Sequence, residues 1–148
     1  MILDRYEYMM DESLLNFQFE SLGPNGRVLK VIVFTPQNSN GVTYFNLAFG
    51  DWDKPQQKLD DLSVTNNNDR EKVLEAVAAV VLKFLNNFPD MMVYAEGSTP
   101  SRTRLYQTGI ASQYEEISSL LHVYGFVNGQ WEGFRKGYNY EAFLVSLK

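Results

Sequence analysis

The chain has 148 residues, no cysteine, 45% hydrophobic residues and a formal net charge of −5. That length suits one domain, burying roughly 70% of its unfolded surface without a metal or disulfide staple. The missing thiols exclude disulfides, thiolate nucleophiles, iron–sulfur clusters and thiolate zinc sites. The acidic balance argues against avid, non-specific nucleic-acid binding.

The N-terminal residues lack a basic and then apolar leader, so no signal peptide is read. Leu15 to Phe19 alternates apolar and polar residues, as a half-buried strand does. Gly23-Pro24-Asn25-Gly26 signals a turn, and Val28 to Phe34 reads as the returning strand. Val42 to Phe49 is a third strand, and Leu59 to Thr65 a shorter fourth, giving an antiparallel meander. Asn66 to Asp69 breaks the pattern; Asn68 is placed to cap a helix, with Glu71 as the reciprocal partner of a capping box. Val73, Val77, Val80, Val81, Phe84 and Phe88 form one helical apolar stripe, and Pro89 stops that helix. The same run is the longest apolar stretch, but Glu75 and Lys83 interrupt it, so no membrane span is predicted.

Met91 to Ala95 reads as a buried strand that lies parallel to a neighbour, because a helix precedes it. A second helix starts near Pro100. Tyr106, Ile110, Tyr114, Ile117 and Leu121 give it a buried stripe, with a break expected near Ser112 and Glu115. Leu121 to Phe126 and Tyr140 to Val145 return to strand, with a turn centred on Asn128-Gly129 between Val127 and Trp131. The expectation is one α+β domain over 1–148: a mostly antiparallel sheet of six or seven strands with two helices on one face.

Chemistry concentrates at Gly97-Ser98-Thr99-Pro100-Ser101-Arg102-Thr103-Arg104. A strand turns into a helix there, and such a turn presents free N–H groups and the positive end of the helix dipole to an anion. Gly97 permits the turn, and Ser98 or Thr99 supplies a cap and hydroxyl donors. Arg102 and Arg104 supply charge at the helix end where cations are least favoured. The two arginines stand two residues apart, about 200° around a helix, so they cannot both face one ligand without distortion. A second cluster, Trp131 to Tyr140, mixes aromatic, basic and glycine residues. Its Arg135 and Tyr138, with Tyr106, would support an anion site if that loop lay beside the turn. The bland readings are an ordinary capped helix start and a twisted hairpin whose aromatics pack inward.

Other constellations are weaker. His122 is the one histidine and lies in an apolar run with no partner at catalytic spacing, which favours a structural role. The nucleophile-elbow pattern is absent. Asp51, Asp53, Asp60 and Asp61 cluster around a turn without a complete cation-ligand set, so a solvated hairpin end is favoured and no metal or cofactor is assigned.

Four stretches are similar to an uncharacterised family of small stand-alone bacterial proteins. They are Tyr44 to Asp51, Glu71 to Leu74, Gly97 to Tyr106 and Asn139 to Val145, the third being the most specific. Gly133 and Arg135 depart from the Pro and Glu that the resemblance leads one to expect around Phe134. The resemblance implies a compact α+β domain and supplies no mechanism.

Three functions follow as expectations. The first is a non-enzymatic, cytoplasmic module that binds an anionic ligand, an anionic small molecule or a phosphate group of a nucleotide or nucleic acid, at Gly97, Ser98, Thr99, Arg102, Arg104, Tyr106, Arg135 and Tyr138. The second is a metal-dependent enzyme acting on phosphates or nucleic acid. The third is an interaction protein that meets an acidic partner or forms a homodimer.

Overall fold

A computed structural model describes residues 5–60 and 67–148. In chain order the elements are β1 (Met9–Met10), β2 (Asn16–Gly23), β3 (Gly26–Ser39), β4 (Val42–Asp53), β5 (Lys58–Asp60), α1 (Arg70–Asn87), β6 (Met92–Ala95), α2 (Pro100–Ser112), α3 (Tyr114–Leu120), β7 (Leu121–Val127), β8 (Gln130–Gly133) and β9 (Ala142–Leu147). One sheet joins the strands in the order β1-β2-β3-β4-β6-β9-β7-β8, with β5 paired to the end of β4. Among the described strands only β4 and β6 are parallel; the α1 crossover between them permits that direction.

Among the described residues the sheet thus has nine strands where six or seven were expected. β1 and β8 have two and four residues, too few for their alternation to stand out. The expected fourth strand begins at β5, and its 61–65 portion lies outside the described residues. Among the described residues three helices replace the expected two, because the chain breaks at Gln113 between α2 and α3. Ser112 does not cap α3; its hydroxyl donates back to Gly109 O at 3.1 Å. The Gln113 side chain instead reaches α1, donating to Glu75 Oε1 at 2.8 Å.

Strand alternation sorts the side chains onto two faces. Phe17, Ile32, Phe34, Leu47, Val93 and Phe143 point to the helical side and are buried. The α1 stripe packs onto them: the Phe84 ring stacks on Phe34 with centroids 4.0 Å apart and meets Phe45 at 5.0 Å. All the residues of the predicted second stripe also join this core, Ile117 and Leu121 buried and Tyr106, Ile110 and Tyr114 half-buried. Between α1, α2 and the sheet a slot of about 100 Å³ remains, walled by apolar residues that include Leu74, Ala78, Tyr106 and Gly109.

The predicted capping box at α1 does not form. Asn68 is in the left-handed region at φ 56°, and Asp69 holds the N-cap position without a side-chain cap bond. The Asp69 carboxylate accepts instead from Tyr6 Oη at 2.6 Å and from the fully buried Ser21 Oγ at 2.5 Å. Charge-assisted bonds from two buried hydroxyls outweigh a cap at the helix start. Burial and the neighbouring carboxylate push the Tyr6 phenol above its ordinary value.

Candidate functional site

The turn after β6 is built by close packing. A Cβ on Gly97 would run into Thr103 N and come within 2.6 Å of the Arg102 Cβ, so only glycine lets the strand end lie against the first turn of α2. Thr99 caps α2, its hydroxyl oxygen accepting from Arg102 N at 3.2 Å. Gly97 N donates to the buried Thr103 Oγ1 at 3.0 Å. The Thr99 hydroxyl and the Gly97 N–H are therefore engaged within the protein.

Beyond the turn, α2 runs beside the loop that joins β8 to β9. Gln107 clamps this loop with both ends of its amide: Nε2 donates to the Tyr138 carbonyl, and Oε1 accepts from Tyr140 N at 2.9 Å. The loop is fixed from within as well. Tyr140 Oη donates to Glu132 Oε2 at 2.9 Å, and Arg135 N donates to Tyr140 Oη at 3.1 Å. Arg135 Nε and Nη2 both reach Glu132 Oε2, at 3.2 and 3.0 Å. The guanidinium also stands over the Tyr138 ring, 4.3 Å from its centroid. The Tyr140 hydroxyl, and then Arg135, hold the Glu132 carboxyl below the usual carboxylate range, and Glu132 in turn raises the Arg135 guanidinium. Burial, then the bond to Glu132, raises the Tyr140 phenol. Gly125 makes room for this ring, because a Cβ there would strike the Tyr140 ring atoms.

Between α2 and the loop lies an open cleft of about 430 Å³ lined by Arg104, Gln107, Thr108, Ala111, Ser112 and Asn139. Arg104 is exposed and is the cleft's one charged lining residue. The Thr108 hydroxyl donates to Arg104 O at 2.9 Å, so Thr108, like Ser112, offers a ligand an acceptor.

The predicted residues therefore divide. The loop and α2 are neighbours, with Arg104 on the cleft and Arg135 and Tyr138 on the loop at its margin. Gly97, Ser98, Thr99 and the half-buried Arg102 belong to the turn and do not line the cleft. Tyr106 faces the other way, into the apolar slot. Gln107, Thr108, Ala111, Ser112 and Asn139 were not singled out from the sequence. The four on α2 follow Arg104 at offsets of three, four, seven and eight, the polar complement of the apolar stripe on the same helix.

The remaining constellations are spread out. Asp51 forms a buried ion pair with Lys30 at 2.5 Å, and Asp53 accepts from Gln56 N at 3.1 Å within its turn. Asp61 lies outside the described residues. Among the described residues no group of three or more His, Asp or Glu side chains is arranged to hold a metal. His122 is exposed on the helix-free face, its ring 6.4 Å from that of Tyr124. Among those residues no helix is long and apolar enough to cross a membrane.

The architecture defines an α+β protein with one helical layer on a mostly antiparallel sheet. The chain belongs to a family of unknown function, DUF6934, whose model matches residues 3–148. No curated protein and no solved structure matches it significantly.

Proposed function

We propose that the chain is a non-enzymatic binding module for a small anionic ligand, taken in the cleft between α2 and the 134–140 loop. The observation that carries this reading is the cleft itself: a concave space that brings Arg104 together with Gln107, Thr108, Ser112 and Asn139, Arg104 being the one charged residue on it among the described residues. A guanidinium offers a phosphate or carboxylate two parallel donors, and Asn139 offers an amide beside it. The β8–β9 loop pairs Arg135 with Glu132 and carries one further charge of each sign, Lys136 and Glu141, so it adds little net field of either sign. The reading takes the ligand site from the Gly97–Arg104 turn to the C-terminal side of Arg104, with Arg135 and Tyr138 as flanking support. A bacterial, cytoplasmic setting belongs to the same proposal and rests on the family resemblance and the absence of cysteine.

Isothermal titration with inorganic phosphate, a nucleoside monophosphate and a dicarboxylate tests it. Saturable binding to at least one is expected, weakened about tenfold or more by Arg104→Ala. Arg104→Lys should recover only part of the loss, since an ammonium lacks the planar fork. Absence of binding to all three, or equal affinity in Arg104→Ala, refutes the proposal.

A further inference from the structure

All three helices pack on one side of the sheet, through Phe84, Tyr106, Ile110 and Ile117. Among the described residues no helix lies on the opposite face. The solvated face of an antiparallel sheet normally alternates into polar and charged side chains. This one does not. From Leu29 of β3 across β4, β6, β9 and β7 to the β8 edge, no strand position on that face carries Asp, Glu, Lys or Arg. Glu20 and Arg27 stand at its β2–β3 margin, and just past the end of β6 the Glu96 carboxylate accepts from Tyr94 Oη at 2.6 Å.

Aromatic side chains fill the space. Tyr44 meets Tyr94 at 5.8 Å, Tyr94 meets Trp131 at 6.1 Å, and Trp131 meets Phe126 at 5.1 Å. Trp131 is 42% exposed and Tyr124 39%. Both tryptophans of the chain, Trp52 and Trp131, project from this face.

We infer that this face pairs with the same face of a second copy of the chain. Charge selects that occupant. A nucleic acid needs cations to replace its counterions, and the face offers none. A charged protein surface laid here would bury its charges unpaired. An aromatic face with no charged strand position, its neighbouring Glu96 carboxylate engaged by the Tyr94 hydroxyl, is complementary to another like it, and two-fold pairing brings the same patch from both copies together. Size agrees. Six strands at ~4.8 Å spacing and the Tyr44–Trp52 stretch of β4 at ~3.3 Å per residue give a footprint of roughly 600 Å². Standing side chains enlarge its accessible area toward the ~800 Å² per partner of a standard interface. Two twisted sheets stack in this way with aligned packing.

Light scattering and sedimentation of the full chain across the micromolar range test the pairing. The expected mass is twice the 17.0 kDa of one chain. Trp131→Lys and Tyr124→Lys, made separately, should each weaken the dimer by about 30-fold or more with far-ultraviolet circular dichroism unchanged. Lys136→Glu, on the loop outside this face, should leave it intact. Acrylamide quenching of tryptophan emission in the unmodified chain gives a readout independent of variant folding: quenching should rise as dilution separates the copies. A monomer throughout the range overturns the inference and leaves the face to a different partner. A dimer that survives both lysine substitutions in folded protein overturns it too, placing the contact elsewhere.

Discussion

Alanine at two glycines should move stability in opposite directions. Gly109 lies in the middle of α2, where glycine costs ~0.8–1.0 kcal/mol relative to alanine through backbone entropy. A Cβ built there meets Leu74 side-chain atoms at 3.4 and 3.5 Å, ordinary contact on the wall of the apolar slot. Burying one carbon adds about 0.8 kcal/mol at most. Gly109→Ala should therefore stabilise the protein by about 1–2 kcal/mol, raising Tm by about 2–8 °C for a chain of this size. Gly97→Ala meets backbone instead, at Thr103 N and Arg102 C, and neither can move without opening the first turn of α2. Overpacking of that kind costs about 1–3 kcal/mol. Urea unfolding with unchanged m, supported by thermal scans, measures both. A Gly109→Ala variant no more stable than the parent would refute the slot geometry. A neutral Gly97→Ala would refute the close approach of β6 to α2.

Gln107→Ala removes both amide bonds to the 138–140 backbone; we expect about 1–2 kcal/mol of lost stability and faster hydrogen exchange at the Tyr140 amide, with α1 amides unchanged. Glu132 has its carboxyl held low in the folded protein, so its stabilising contribution is present above the ordinary glutamate value of about 4.3 and is lost as pH falls through the depressed folded value. A stability–pH profile of Glu132→Gln against the parent should therefore show a shallower acid limb, with the two curves parallel between about pH 6 and 8.

Much of the framework was legible because it is written in near neighbours. The α1 stripe from Val73 to Phe88, ended by Pro89, needs only the 3.6-residue period and a residue that cannot continue a helix. Thr99 and Pro100 mark the start of α2 in the same local way, and the parallel placement of β6 follows from the helix before it. The misses are cases where a distant group competed with a local rule. Asp69 turns from the helix end to Tyr6 and Ser21, 63 and 48 residues away in sequence. Gln113 reaches Glu75 on another helix, at a break whose neighbour Ser112 looked like the local cap.

The candidate site divides along the same line. Residue types and spacing, by themselves, determined the α+β class, the two helix starts, the buried stripes and the presence of arginines at the head of α2. Which arginine faces a cleft was decided by tertiary structure, because it depends on Gln107 holding a loop more than thirty residues further along the chain. So was the aromatic outer face. Its residues come from six strands whose order departs from chain order, β3-β4-β6-β9-β7-β8, and alternation within each strand cannot say whether its second face meets water or protein. Periodicity is a property of neighbours along the chain, whereas a cleft and an interface are properties of neighbours in space, which only the packed sheet and helices create.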